Sequence, residues 1–203
     1  MTLARRSAFA LVAAAVLLVA TACADAGVPE ASIDVGTPEL VRAKAAAGVE
    51  PCAPGPGPKV VGGMPSVDLP CLGGGRDVDV SSLRGPMLVS IWAYWCQPCR
   101  DEMPVLQAFY SAHGDRVPVL GIDYLDTQPG GALSLMESTG ATYPSLADPY
   151  GDLSAQAPLP AIRGLPFLLL IDADGKVAFI LNKQVTSRRE LLDLVDEHLG
   201  VRL

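Results

Sequence analysis

Two cysteines spaced Cys-x-x-Cys follow directly after a run of apolar, strand-forming residues, and this junction limits the possible folds more than any other feature of the chain. The run occupies residues 87–93 and reads Met-Leu-Val-Ser-Ile-Trp-Ala, and the pair is Cys96 and Cys99. Residues 100–113 have the apolar spacing of an amphipathic helix. The sequence therefore predicts a buried strand that leads into a helix whose first turn carries both cysteines.

The two cysteines are predicted to have different roles because they lie at different points of the helix start. Cys96 is expected at or just before the first helical residue, where unpaired backbone N–H groups and the positive end of the helix dipole favour a thiolate. Cys99 lies one turn further in, where burial keeps its thiol protonated. We therefore interpret Cys96 as the attacking sulfur and Cys99 as the resolving sulfur of a catalytic pair.

The residues around the pair are candidates for contact with a substrate. Trp95 would supply a flat apolar wall beside the nucleophile, and Pro98 suits a first helical turn because its missing N–H costs nothing there. Gln97, between the cysteines, completes this predicted substrate-binding set. A stable disulfide and half of a zinc site are the alternatives. Zinc needs two more ligands, whereas the other cysteines are isolated and the chain has two histidines, so no metal is predicted.

The N-terminus has the pattern of an export signal. Arg5 and Arg6 precede an uninterrupted apolar stretch of 13 residues, which is short for a membrane-spanning helix, so residues 1–22 are predicted to be a signal peptide. Small residues precede Cys23 as in a bacterial lipobox, which predicts a lipid on Cys23 and a tether over residues 23–57. Ordinary cleavage that leaves a free thiol is the alternative.

The number of cysteines predicts a second disulfide. The chain has five, and four remain when Cys23 is set aside, an even number in a compartment that permits disulfides. Cys96 and Cys99 pair by proximity, so Cys52 and Cys71 are predicted to form a structural disulfide. Closing a loop of about 20 residues is worth roughly 3 kcal/mol in the chain-entropy model. A second redox pair is the alternative, although neither residue begins a helix that could lower its pKa.

The charge balance argues against binding to nucleic acid. The chain has 15 Lys and Arg residues against 22 Asp and Glu residues, and removal of Arg5 and Arg6 with the signal peptide leaves a net charge of about −9. The sequence has no basic patch that could follow a phosphate backbone. We expect the acidity to keep the protein soluble beside an anionic membrane.

Patterns along the rest of the chain predict an α/β fold. A Thr-Pro-Glu start signal predicts a short helix over Pro38–Ala47, and a Pro- and Gly-rich loop covers 51–63. The other predicted elements are a hairpin of strands 66–69 and 78–80, a strand at 117–123, helices at 128–139 and 149–156, strands at 165–171 and 176–181, and a helix at 187–199. A β-α-β unit followed by a β-hairpin and a closing helix predicts a mixed sheet flanked by helices, in a domain spanning 58–203.

Several motifs together resemble thioredoxin-fold proteins. They are the Trp-Cys-Gln-Pro-Cys motif on its strand–helix junction, Pro104 within the following helix, and the Gly-Leu-Pro sequence that ends at Pro166. The finer resemblance is to the TlpA/ResA-like family of extracytoplasmic thiol–disulfide oxidoreductases. It rests also on the N-terminal hairpin, on Glu102, on an insertion at about 125–156 and on a late Ile-Asp-Ala-Asp-Gly-Lys sequence, and it covers about residues 58–200.

The resemblance implies further site residues. Pro166 would be a cis proline facing the cysteines, and the backbone of Leu165 would pair with an extended substrate chain. Glu102 would tune the thiol pKa values and move protons during exchange, with a solvated carboxylate of the first turn as the alternative. Cytoplasmic thioredoxins carry a buried acid six residues before the first cysteine, where this chain has Ser90. Glu102 is therefore the main remaining candidate for proton transfer.

The resemblance also implies a function, that of a lipid-anchored thiol–disulfide oxidoreductase on the extracytoplasmic face of the bacterial cell membrane. It would act as a reductant of protein substrates, in cytochrome c maturation or in general disulfide maintenance. Because the chain has no nucleotide-binding signature, its electrons would come from a membrane protein, and no cofactor is expected. We expect a monomer. The alternatives are a structural or metal-binding lipoprotein and a thiol peroxidase on the same fold, although no motif typical of a peroxidatic cysteine is found.

Overall fold

The computed structural model describes residues 32–203, and Ile33–Leu203 form one compact unit. The predicted signal peptide over residues 1–22 and the predicted lipid attachment at Cys23 lie outside the described residues. Within residues 32–203, no helix is both long enough and apolar enough to cross a membrane.

A five-stranded mixed sheet forms the centre of the unit, beside a small antiparallel hairpin. The hairpin consists of β1 (Asp68–Leu69) and β2 (Val78–Asp79), and the sheet of β3 (Met87–Trp92), β4 (Val119–Tyr124), β5 (Ser145–Asp148), β6 (Phe167–Ile171) and β7 (Val177–Leu181). The order across the sheet is β5-β4-β3-β6-β7. β4 runs parallel to both β3 and β5, whereas β6 is antiparallel to both β3 and β7. The strand before the cysteines is therefore the central strand.

The described residues form four α-helices, which are α1 (Pro38–Ala47), α2 (Gln97–His113), α3 (Pro129–Thr139) and α4 (Arg188–Leu199). The ends of these helices are capped by residue types that favour helix termini. The Thr37 hydroxyl accepts a hydrogen bond from a backbone N–H of α1, and Ser187 does the same for α4. Gly140 ends α3 at a φ of 69°, a left-handed conformation that favours glycine. Helices α2 and α3 are the crossovers that parallel strands require.

Alternate residues of the sheet belong to two separate buried clusters. In β6, Leu168 and Leu170 pack in a cluster with apolar residues of α2, α3 and α4. Leu169 and Ile171 belong to the second cluster, which the hairpin and loop residues such as Leu153 complete. Because successive side chains of a strand point to opposite faces, the two clusters lie on the two sides of the sheet. The predicted α/β fold around a mixed sheet is confirmed.

The compact unit begins earlier than the sequence predicts. The sequence predicts a tether over residues 23–57, yet Val35 and Val49 are buried in the same cluster as α2, and Cys52 is buried in the second cluster. The helix Pro38–Ala47 packs against α3. Burial of these apolar side chains adds the segment to the domain. The boundary lies at Ile33 rather than at residue 58.

The helix predicted over 149–156 is not formed, and the structure has turns there. The carboxylate of Asp148 accepts hydrogen bonds from the N–H groups of Asp152 at 2.7 Å and Leu153 at 3.1 Å. Gly151 has a φ of 76° and Ala155 a φ of 59°, outside the right-handed helical region. The local bonding of a buried carboxylate therefore replaces a helix that propensity favoured.

Candidate active site

The two motif cysteines lie at the junction of β3 and α2, joined by a disulfide. Cys96 is the N-cap of α2, and its Sγ accepts a hydrogen bond from the Cys99 N–H at 3.2 Å. The exposed fraction of Cys96 is 5%, whereas that of Cys99 is 0%. A thiolate at Cys96 would thus face the amide groups and the positive end of a 17-residue helix, while Cys99 stays in the core.

The strand register brings three distant segments together beside the motif. Trp92 ends β3 and is paired with Asp123 on β4. On the other side, Ile91 is paired with Phe167 of β6, so Pro166 reaches the level of Trp92. The Leu165–Pro166 peptide bond is cis. The carboxyl end of the central strand is therefore flanked by an acidic residue on one side and by the proline on the other.

A side chain that the sequence analysis did not single out holds the proline segment. The amide nitrogen of Asn182 donates hydrogen bonds to the backbone oxygens of Gly164 at 2.8 Å and Pro166 at 3.1 Å. Leu165 lies between these two anchored residues and is half-buried. Because the carbonyl groups on both sides of it are hydrogen-bonded to Asn182, the backbone of Leu165 is held in place.

The predicted substrate-contact residues of the motif lie at the surface. Trp95 is 57% exposed, and its indole N–H donates to the carbonyl oxygen of Leu125 at 3.3 Å. Gln97 and Pro98 are exposed, and the Gln97 amide donates to Asp101 at 3.2 Å. The exposed ring beside Cys96 provides apolar area that a partner protein could cover.

The loop that leads into Cys96 is held at both sides of one residue, Tyr94. Its N–H donates to the carboxylate of Asp126 at 2.9 Å. Its carbonyl oxygen accepts from two nitrogens of the Arg100 guanidinium at 3.2 Å and 3.0 Å, and the guanidinium lies 5.1 Å from the centre of the Tyr94 ring. Arg100 is thus engaged with this loop, which positions the residues just before Cys96.

A buried carboxyl group on the neighbouring strand escaped the sequence analysis. Both side-chain oxygens of Asp123 lack a hydrogen-bond donor among the described residues, and Asp123 is buried next to Asp126. Burial, followed by the charge of Asp126, raises the pKa of Asp123 well above its ordinary value. Asp123 lies on β4, the strand next to β3, and is paired with Trp92. Its position at the end of an apolar strand was the sequence signal that could have identified it.

Glu102 is buried one helical turn beyond Cys99. One of its carboxylate oxygens accepts a hydrogen bond from the Val185 N–H at 2.9 Å. Burial raises the pKa of Glu102 to about 7, and the charge of Glu190 contributes in the same direction. Glu102 is therefore not the solvated carboxylate that was the alternative prediction. A carboxyl group with this pKa is present in both protonation states near neutral pH.

The second disulfide joins Cys52 to Cys71, and it lies in the other buried cluster, across the sheet from the motif cysteines. Cys71 forms an isolated antiparallel bridge with Leu146 of β5. The bond therefore ties the segment around Cys52 to the β5 edge of the sheet. In residues 32–203, no group of three or more His, Cys, Asp or Glu residues is arranged to hold a metal ion.

Comparison with known proteins places the whole motif region in one family. A model described as the AhpC/TSA family matches residues 62–180, more than half of the chain. The matched segment includes Cys96, Cys99, Glu102 and Pro166. An uncharacterised thioredoxin-like protein from Porphyromonas gingivalis superimposes with a TM-score of 0.54 at 24% identity, covering 68% of this chain and 92% of that one. The predicted thioredoxin-like fold is confirmed.

Two curated relatives are named as thiol:disulfide interchange proteins. The chain is 34% identical to the thiol:disulfide interchange protein DsbE homolog of Paracoccus denitrificans, over 56% of this chain and 60% of that protein. It is 33% identical to the thiol:disulfide interchange protein CycY of Rhizobium leguminosarum, over 49% of this chain and 51% of that protein. The chain thus spans about half to three fifths of the length of these relatives.

Proposed function

This chain belongs to the AhpC/TSA family, and we propose that it is a thiol–disulfide oxidoreductase that exchanges its Cys96–Cys99 pair with protein substrates. The main support for this proposal is the unequal placement of the two sulfurs, with Cys96 as the N-cap of a long helix and Cys99 inside the core. The names of the two curated relatives support the same chemistry. An inert disulfide would not need one sulfur at a helix start with a buried carboxyl beside the other.

The proposed reaction runs in two exchanges. The Cys96 thiolate attacks one sulfur of a substrate disulfide, and the second substrate sulfur leaves as a thiolate that takes up a proton. Cys99 then gives its proton to Glu102 and attacks the Cys96 sulfur. The Cys96–Cys99 bond forms as the mixed disulfide breaks, and the first substrate sulfur leaves with the electron pair. The substrate gains two electrons and the protein is oxidised.

The surface around the pair supports a protein substrate. The exposed ring of Trp95 lies on one side of Cys96, and the anchored backbone of Leu165 lies at the level of the strand end on the other. An extended chain could pair with the Leu165 backbone while its disulfide reaches Cys96. We place Gln97 and Pro98, both exposed, in the same contact surface.

We expect the protein to act as a reductant, and the reduction potential of the Cys96–Cys99 pair tests this direction. Equilibration of the full chain with glutathione or dithiothreitol buffers should give a potential near that of thioredoxin, because a low potential marks a strong dithiol donor. A potential more than about 100 mV higher would assign it the role of an oxidant instead. Consumption of peroxide without exchange of a disulfide substrate would favour the peroxidase alternative.

We further propose that the protein is tethered to the extracytoplasmic face of the membrane by a lipid on Cys23 and is reduced there by a membrane protein, for use in cytochrome c maturation or in general disulfide maintenance. The small residues before Cys23 and the basic start of the chain support the anchor. Mass spectrometry of the mature chain should find Cys23 as a lipidated first residue, and Cys23→Ser should move the protein from the membrane fraction to the soluble fraction. A mature chain that retains residues 1–22, or a free Cys23 thiol, would contradict the anchor.

A further inference from the structure

The second disulfide has a cation beside it that a structural bond does not require. The ammonium of Lys44, in the last turn of α1, lies 2.9 Å from the Cys71 sulfur and donates a second hydrogen bond to the carbonyl oxygen of Gly74 at 3.0 Å. Lys44 is buried, and none of the ion pairs among the described residues includes it. A buried ammonium without a counter-ion is costly, so its position calls for an anion nearby.

Reduction of the disulfide would create that anion. A Cys71 thiolate would face the Lys44 ammonium directly. It would neutralise the buried positive charge, which has no counter-ion among the described residues of the oxidised protein. In agreement, burial lowers the pKa of Lys44 in the oxidised structure. The Cys71 side of the bond is thus arranged for a thiolate.

The Cys52 side is arranged for a thiol. Its sulfur lies 3.2 Å from the carbonyl oxygen of Ser145 on β5. A disulfide sulfur has no proton to donate to this oxygen, whereas a Cys52 thiol could donate one. Both sulfurs therefore already have the partners that their reduced forms need.

We propose that Cys52 and Cys71 are a second redox centre of this protein, an exchangeable disulfide whose reduced form is held by Lys44 and by the Ser145 carbonyl. The count of cysteines predicts a structural bond here, and a redox pair is the less favoured alternative because neither cysteine begins a helix. The tertiary structure supplies the missing cation from α1 instead. The bond still ties the segment around Cys52 to the sheet when it is oxidised.

The different surroundings of Cys52 and Cys71 determine which sulfur is attacked when the bond is reduced and which one leaves. The thiolate of an external dithiol attacks Cys52, which at 7% exposure is the more accessible sulfur, against 1% for Cys71. The disulfide breaks and its electron pair leaves on Cys71 as the thiolate, since the sulfur with the lower thiol pKa is the better leaving group. The second thiol of the reductant then displaces Cys52 and transfers its proton to it. The dithiol is oxidised to a disulfide, and the protein keeps one thiol and one thiolate.

The experiment isolates this bond from the active site. In the full chain carrying Cys96→Ser and Cys99→Ser, the Cys52–Cys71 pair is equilibrated with graded mixtures of reduced and oxidised dithiothreitol, and differential alkylation with peptide mass spectrometry measures its reduced fraction. Circular dichroism follows the fold in the same samples. We expect reduction in the folded protein, and thiolate absorbance in the ultraviolet at neutral pH.

Matched variants of Lys44 test whether its charge stabilises the reduced form of the Cys52–Cys71 pair. Lys44→Met keeps the length of the side chain without its charge and should shift the equilibrium toward the disulfide by about tenfold or more, the equivalent of one pKa unit of lost thiolate stabilisation. Lys44→Arg should stay near the parent, as should Lys176→Met, which removes an exposed charge. An unchanged equilibrium in Lys44→Met, or reduction only where the folded signal is lost, would overturn the proposal. Because Cys96 and Cys99 are absent, neither result depends on the proposed function.

Discussion

Replacing Cys96 with serine is expected to abolish disulfide exchange, with a loss of at least about 10³-fold, since removal of a catalytic nucleophile can cost about 10⁶-fold. Only a thiolate attacks a disulfide at a useful rate, and a serine hydroxyl does not ionise near neutral pH. Of the other three cysteines of the described chain, Cys99 is fully buried, and Cys52 and Cys71 lie across the sheet and offer no thiolate while their disulfide is intact. The rate is therefore measured with a peptide disulfide and full chains whose Cys52–Cys71 bond is kept oxidised.

Cys99→Ser is the matched control, because it removes the other sulfur of the same motif. We expect it to keep the first attack and to accumulate a mixed disulfide between Cys96 and the substrate, since no resolving thiol is left. Mass spectrometry of the intact protein would detect the added substrate mass. If Cys96→Ser trapped substrate and Cys99→Ser did not, the two roles would be reversed.

Replacing Glu102 with glutamine is expected to slow the resolving step by about 10²-fold, the lower end of the range for a lost general base. In the parent protein, the rate of release from the mixed disulfide should rise with pH through about 7, because ionised Glu102 can accept the Cys99 proton. The variant should lack this rise. Stopped-flow measurement of substrate release across the pH range separates this step from the first attack.

The same substitution has an expected effect on stability. Because the folded-state pKa of about 7 lies above the ordinary glutamate value of 4.5, the folded protein holds a proton that the unfolded chain releases between these pH values. The stabilisation is complete below about pH 4.5 and is lost as the pH rises through about 7, which corresponds to roughly 3 kcal/mol. Glu102→Gln should show no such fall and should be the more stable protein at about pH 8. Urea unfolding of the oxidised proteins measures the difference.

Asp101→Asn provides the control for both Glu102 measurements. Asp101 is the adjacent carboxyl on α2, but it is exposed. We expect its substitution to leave the pH dependence of release and of unfolding near that of the parent. Burial, and then the charge of Glu190, raises the pKa of Glu102. If Glu102→Gln kept the rise through pH 7, Glu102 would not be the titrating group.

Most of the fold could be predicted from the sequence because its signals are local. The helix over Pro38–Ala47 has the bounds that the sequence predicts from its Thr-Pro-Glu start, and Gly48 ends it in a left-handed conformation. The strand and helix around the cysteines follow from periodicity, since neighbouring residues determine which side chains share a face. The missing helix at 149–156 shows the limit of this reasoning, because the nearby carboxylate of Asp148 engages backbone N–H groups that a helix would otherwise use.

The candidate site could be predicted only where its residues belong to one segment. Cys96, Cys99 and Glu102 are placed by one helix, so their order and spacing were readable. Asp123 and Asn182 were not identified, because their relation to the motif depends on how β4, β6 and β7 align beside β3. A strand register is determined by the packing of whole sheet faces, which no short pattern encodes.

The sequence by itself determined that a Cys-x-x-Cys pair begins a helix after a buried strand, and with it the unequal placement of the two sulfurs on which the proposed order of attack and resolution rests, because helix capping and the dipole act within one turn. Only the tertiary structure decided the burial of Glu102, the acid beside the strand end and the cation beside Cys71. Lys44 and Cys71 are 27 residues apart, and their contact exists only because α1 packs into the domain. Burial and neighbouring groups shift the pKa of an ionisable side chain, and both depend on the folded structure.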